Sequence, residues 1–383
     1  MEVVHVVCWF QLPFRRLANV LHENMVMSSS IWFSAHLRIL VLVLIIVTVA
    51  LLFLGYNSEN PSTIGFSPLP QNSVINCSNV REERKSQDPI LLIWVWPFGH
   101  KFDLNCDPFD ITGCKLTDDR SLYPTAHAVI FHHDDIDVYL QPKEPRPSFQ
   151  LWVWFNMESP SNSNRISGFR NLFNLTCSYR RDSDIFTPYG SLVPVSNDKK
   201  PCFRLPTKDK LVCWIVCNWN SHFKRVQYFN ELKKHVEIKT YSRAFGEYIS
   251  NEMYVEIITS CKFYLSFENS IHKDYITEKF YMPLKLGAVP VVLGPPRENY
   301  EAHAPAESFI HVDDFASPKE LAERLQHLHL HPDQYMDYFE WRNSFKAVSG
   351  IFGLEQVCRT CHYLKTQRRY QSVRDLNKWY WDN

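Results

Sequence analysis

Apolar runs and polar stretches divide this chain into blocks. The longest apolar run, Ile39 to Tyr56, has 18 residues and no charge, enough for one membrane crossing. A core helix would show a polar face, and this run shows none. A cleaved leader would be shorter and begin nearer the N-terminus. Arg15, Arg16 and Arg38 precede the run, and Asn57, Ser58 and Glu59 follow it. That asymmetry predicts a cytosolic tail over 1–38, a signal-anchor helix over 39–56 and everything later across the membrane. A start at Met25 or Met27 in place of Met1 leaves this topology unchanged. Residues 57–88 are polar, with a charged patch at Arg81–Lys85, and read as a stem.

From Ile90 onward short apolar runs alternate with polar stretches. Ile90–Trp96, Ala128–Phe131 and Leu151–Phe155 read as buried strands. The Pro/Asp/Ser-rich stretch Asp184–Lys210 reads as an interdomain connection. A second series follows: a strand at Leu211–Cys217, a helix near Ser221–His235, then strands at Val236–Ile238, Phe263–Phe267 and Val289–Leu293. A helix over Tyr275–Gly287 contains Pro283, which should bend or end it after Met282. Ser317-Pro318-Lys319-Glu320 is a capping box opening a helix toward Leu330. Two blocks of strand–helix alternation predict two parallel-sheet α/β domains facing one cleft, over 89–210 and 211–350, then a segment over 351–383.

The densest polar cluster is Glu268-Asn269-Ser270-Ile271-His272-Lys273-Asp274-Tyr275-Ile276-Thr277-Glu278-Lys279, between the apolar runs at Phe263 and Val289. Such groups meet at the carboxyl edge of a sheet, where ligands bind. Glu and Lys are almost never buried without partners, so a core-only role is excluded. Formal net charge is zero, which argues against a nucleic-acid partner. Of eleven cysteines all but Cys8 follow the apolar run, on the side where disulfides persist. Cys358-Arg-Thr-Cys361 invites a zinc or redox reading, but Cys106 and Cys114, with seven residues between them, are a poor second zinc pair. Bridges joining the early pair to the late pair fit a secretory chain better. Asn76-Cys77-Ser78 and Asn174-Leu175-Thr176 are glycosylation sequons, both expected on the lumenal side.

Phe267–Ser270, Thr277–Lys279 and Val289–Gly294 together resemble the donor-binding signature of the Lewis-type α1,3-fucosyltransferases of glycosyltransferase family 10. Trp94–Gly99, Met157–Pro160, Tyr179–Ile185 and the ending with Cys358 and Cys361 are similar to further blocks of that family. The resemblance covers roughly residues 89 to 381. It implies a GT-B-like fold of two Rossmann-like domains, and inverting transfer of L-fucose from GDP-fucose to O3 of GlcNAc in N-acetyllactosamine-type glycans on glycoproteins and glycolipids. It implies a Golgi membrane location. A homodimer is compatible with it.

Inversion needs one general base and stabilisation of a departing diphosphate. The resemblance places the base at Glu158, after a strand and before Pro160. It places Arg225 and Lys279 on the diphosphate, and Glu278 on fucose or ribose hydroxyls. Tyr264, Asn269, Tyr275, Asn218, Tyr189, Ile215 and Cys217 would line the donor site; Cys217 stands where a small polar residue is expected. On the acceptor side it points to His100, His132, His133 and Asp134. Asp134 takes a position that is Trp in members making α1,4 bonds, so its identity implies α1,3 transfer. The implied disulfides are Cys106–Cys358, Cys114–Cys361 and Cys213–Cys261. Asp182-Ser183-Asp184 is a D-x-D that in other transferases holds a divalent metal; the resemblance implies that no metal or other cofactor is required. Two alternatives stand beside this reading: a metal-dependent nucleotide-sugar transferase using Asp182 and Asp184, and an inactive lumenal glycan-binding protein.

Overall fold

The computed structural model describes residues 88–136, 141–165, 170–195, 203–242, 249–367 and 370–382. The tail, the anchor over 39–56, nearly all of the stem, Asn76, Cys77 and Cys202 lie outside the described residues. No helix among those described is long and apolar enough to cross a membrane.

Two parallel sheets carry the fold. The first runs β1 (Ile90–Ile93), β2 (Lys115–Thr117), β3 (Ala128–His132), β4 (Leu151–Asn156), β5 (Leu175–Ser178) and β6 (Ile185–Phe186) in the order β2-β1-β3-β4-β5-β6. Its ladders are parallel throughout, with β3 against β4 from Ala128↔Leu151 to His132↔Phe155. Every residue of β3 and β4 is buried, as expected of strands covered on both faces. A hairpin-like pair of β7 (Gly190–Pro194) and a much later strand lies within the stretch expected to be a bare connection. That expectation missed β7 because its partner is some 150 residues away in sequence.

The second sheet uses β8 (Lys210–Ile215), β9 (Ile238–Tyr241), β10 (Cys261–Phe267), β11 (Val289–Leu293) and β12 (Ile310–His311) in the order β12-β11-β10-β8-β9. The strand order reverses between β8 and β10, and ligands bind at the carboxyl ends of strands beside such a reversal. Helix α1 (Lys224–Leu232) follows β8, α2 (Asn251–Ser260) precedes β10, α3 (Glu278–Leu286) follows it, and α4 (Pro318–Leu330) has Ser317 as its cap. The late strand β13 (Phe345–Ser349) pairs antiparallel with β7. Helix α5 (Leu354–Thr366) then returns the chain to β1, β5 and β6 of the first sheet. A last helix, α6 (Leu376–Trp381), buries Leu376 and Tyr380 in the same core as Trp154.

Disulfides fasten these returns. Cys106–Cys358 and Cys114–Cys361 tie α5 to the segment before β2, and Cys213–Cys261 links β8 to β10. Bridges of this kind typically contribute about 2–4 kcal/mol each.

Helix α3 corrects two expectations. It begins at Glu278, not Tyr275, because Asp274 adopts φ +60 and Thr277 caps the helix. It also runs through Pro283 to Leu286. The proline cannot donate to the carbonyl of Lys279, and the Ser266 hydroxyl supplies that bond instead at 2.6 Å. Gly287 closes the helix at φ +84, a conformation glycine adopts without strain. The strand placed at Val236–Ile238 begins two residues later, because the turn after α1 extends to His235.

Candidate active site

The turn after β4 carries Glu158. Its backbone N–H donates to Asn156 Oδ1 at 2.9 Å, and its carbonyl accepts from the Tyr380 hydroxyl. The Tyr275 hydroxyl, from the loop after β10, donates to Glu158 Oε2 at 3.3 Å. Burial pushes the carboxyl pKa up to about 7, the Lys279 charge working in the opposite direction. A carboxylate poised near neutrality is suited to taking a proton from a hydroxyl.

Lys279 stands in the first turn of α3. Its ammonium lies 2.9 Å from Glu278 Oε1, 3.0 Å from Thr277 Oγ1 and 3.6 Å from Glu268 Oε2. Burial opposes its charge, but the two carboxylates outweigh burial and hold its pKa above the usual value. Glu268 is buried and accepts from the Thr277 N–H at 2.8 Å and its hydroxyl at 3.0 Å.

Glu268 also lines a cavity of about 280 Å³ together with His222, Lys224, Arg225, Asn269 and Leu293. These residues follow β8, β10 and β11, beside the strand-order reversal. Ser161 and Asn162 reach the cavity from the first sheet's side. Arg225 is 4% exposed, donates to the Asn218 carbonyl, and has an Nε with no partner in the protein. Burial lowers its pKa, opposed by Glu268. Helix α1 starts here with no side chain on its first amides. A helix N-terminus without a side-chain cap and a guanidinium in one cavity suit a phosphate group. Gly294, at the end of β11, leaves room for this packing: a Cβ there would lie 2.3 Å from the Tyr300 hydroxyl and 3.2 Å from Glu268.

Other expected residues stand elsewhere. Tyr264 is 1% exposed and packs in the core with Tyr254 and Met282, and Ile215 is buried in that same cluster. Both lie in the core beneath the carboxyl ends of β8 and β10. Cys217 is disulfide-bonded. Asn218 contributes its carbonyl to Arg225, and the Tyr189 hydroxyl donates to the Met157 carbonyl. His132 and His133, at the end of β3 and in the turn after it, are 2% and 1% exposed. His132 Nδ1 lies 2.6 Å from Asp135, and His133 accepts from the Trp154 indole at 3.1 Å. Burial, then the neighbouring His132, lowers the His133 pKa to about 4. Asp134 and His100 are exposed.

The D-x-D acids are engaged within the protein. Asp182 accepts two bonds from Arg180, at 2.8 and 2.7 Å, and Asp184 accepts from Thr176 and Gln371. Asn174 of the second sequon is 1% exposed. Its amide nitrogen donates to the Gln371 carbonyl and its oxygen accepts from the Trp152 N–H, so the folded chain does not offer this sequon to solvent.

The sequence reading left out Glu268 as a site residue, although the polar cluster begins with it. It also left out the bonds that join the two loops: Ser270 to Ser159 at 2.6 Å, and His272 to Ser161 at 2.6 Å. No spacing in the sequence could reveal those, because each spans 111 residues.

Two family models match the chain: "Fucosyltransferase, N-terminal" over 86–190 and "Glycosyltransferase family 10 (fucosyltransferase) C-term" over 205–379. The 4-galactosyl-N-acetylglucosaminide 3-alpha-L-fucosyltransferase 9 of Homo sapiens is 49% identical over 324 residues, 83% of this chain and 90% of the relative. The 3-galactosyl-N-acetylglucosaminide 4-alpha-L-fucosyltransferase FUT3 of Pan troglodytes is 43% identical over 76% of this chain and 80% of its own length. A crystal structure of an alpha1,3-fucosyltransferase with GDP-fucose matches at 16% identity and a TM-score of 0.49, over 78% of this chain and 95% of that one. With both family models matched in order and a relative 49% identical over 83% of this chain and 90% of its own length, the chain belongs to the fucosyltransferases of glycosyltransferase family 10.

Proposed function

We propose that this chain transfers L-fucose from GDP-fucose to O3 of GlcNAc in N-acetyllactosamine-type glycans, with inversion at the anomeric carbon. The observation that carries the reading is the 49% identity to a 3-alpha-L-fucosyltransferase across 90% of its length. In this reading Glu158 takes the proton from the acceptor hydroxyl as the new C–O bond forms, and the bond to the diphosphate breaks on the opposite face. The raised carboxyl pKa and the Tyr275 bond support Glu158 in that role. Arg225, Lys279 and the first amides of α1 receive the charge left on GDP. The unpartnered Arg225 Nε and the helix start without a side-chain cap support that assignment.

The two sheets would then act as a GT-B-like pair, with donor on the second and acceptor on the first. Asp134 and His100, both exposed, are our candidates for the acceptor side. We further propose transfer without an essential divalent metal, because Asp182 and Asp184 already bond Arg180, Thr176 and Gln371. For location we propose a Golgi membrane, single-pass, with the sheets lumenal. The uncharged run over 39–56 and the disulfides Cys106–Cys358, Cys114–Cys361 and Cys213–Cys261 support it. The decisive experiment is GDP-fucose with a panel of lactosamine acceptors, with and without EDTA, and linkage analysis of products. Fucose at O3 of GlcNAc in both conditions is the expected result. Products at O4 alone, or loss of transfer with EDTA, would reject the reading.

A further inference from the structure

We propose that Tyr380 and Trp381 are positioning residues: helix α6 clasps the turn after β4 and fixes where the Glu158 carboxylate stands. The inference rests on the reading of Glu158 as the base. The Tyr380 hydroxyl donates to the Glu158 carbonyl across 222 residues of sequence. The Trp381 indole N–H straddles the same turn, 3.1 Å from both the Pro160 and Ser163 carbonyls. The Tyr380 ring packs edge-on to Trp154 of β4 at 4.8 Å, and its hydroxyl lies 3.3 Å from that of Tyr179.

The residue just before Tyr380 in α6 is held as well. Arg180 donates to the Trp379 carbonyl at 2.6 Å, and its guanidinium lies 4.4 Å from the centre of that ring. Asp182 orients the guanidinium through two bonds. Asp184 accepts from Gln371, whose carbonyl accepts from Asn174. The D-x-D thus tethers the approach to α6 and, through it, the base. With the Glu158 N–H on Asn156 and its carbonyl on Tyr380, only side-chain rotations remain free, and Tyr275 limits those. A reacting group needs such restraint, since an ångström of misplacement costs about 100-fold in rate.

The groups facing Glu158 are Lys279, Tyr275, Asp134, Tyr179, Tyr189 and Tyr380. Loosening the clasp lets water reach the carboxylate, which lowers its pKa toward the ordinary range. The test is Tyr380→Phe in the full chain, in detergent, which keeps the ring and removes one hydroxyl. We expect kcat to fall about 10- to 100-fold. The KM for GDP-fucose and the Kd for GDP should stay within about twofold, and the acid limb of kcat should move down by about half a pH unit. Trp381→Phe should act in the same direction. Unchanged kcat in Tyr380→Phe overturns the clasp alone. So does a kcat loss matched by weaker GDP binding and a lower thermal midpoint, the mark of packing damage. Wild-type chain without fucosyl transfer overturns both this inference and the function beneath it.

Discussion

The loop after β4 and the loop after β10 meet at one junction but are built in opposite ways. The second is nearly self-sufficient. Glu268, Thr277, Glu278 and Lys279 bond one another within eleven residues, and Ser266 completes the helix that carries Lys279. The first borrows its restraints. Glu158 is held by Tyr275 from 117 residues away and by Tyr380 from 222. A bound diphosphate needs a fixed arrangement of charge, which neighbours in sequence can provide. A proton-accepting carboxylate needs low polarity and a fixed angle, which only distant packing gives it.

Glu158→Gln gives the sharpest test of that contrast. Transfer should fall about 100- to 10,000-fold, while GDP binding, measured by calorimetry, stays near wild type. If GDP binding is lost as well, the loops are not separable. Lys279→Ala should do the reverse. Loss of a charge-assisted bond of about 1.5–3 kcal/mol predicts a rise of roughly 10- to 100-fold in donor KM. An unchanged KM would remove Lys279 from the diphosphate.

The pH dependence separates the loops further. Glu158 works as a base only when ionised, so kcat should fall as pH drops below about 7. The stability term has the opposite sign. The folded carboxyl holds its proton above its ordinary 4.5, so between 4.5 and about 7 the folded state binds more protons than the unfolded one. Stability contributed by this group is therefore full below 4.5 and is lost as pH rises to about 7. A kcat profile flat from 5 to 8 would contradict this. The smallest effect is Ser266→Ala, which leaves the Lys279 carbonyl of α3 without its donor. It should cost about 1 kcal/mol in denaturant unfolding with only a small change in kcat.

What the sequence disclosed follows the same division. The strands at Leu151–Phe155, Phe263–Phe267 and Val289–Leu293, and the cluster from Glu268 to Lys279, were legible because period and composition are local signals. The burial of His132, His133 and Asn174 was not, because each is buried by elements far along the chain. The structural role of Asp182 and Asp184 was hidden for the same reason. Their partners Thr176 and Arg180 were in view, but Gln371 and Trp379, which give the pairings their purpose, were not. Pro283 misled because the bond that rescues its helix comes from a neighbouring strand.

The separations of 252 and 247 residues in the Cys106–Cys358 and Cys114–Cys361 bridges carry a consequence for biosynthesis. As the polypeptide emerges from the ribosome, two thiols near the start of the first sheet stay without their mates until residues 358 and 361 have been made. The first sheet is thus locked only after the second sheet has been made.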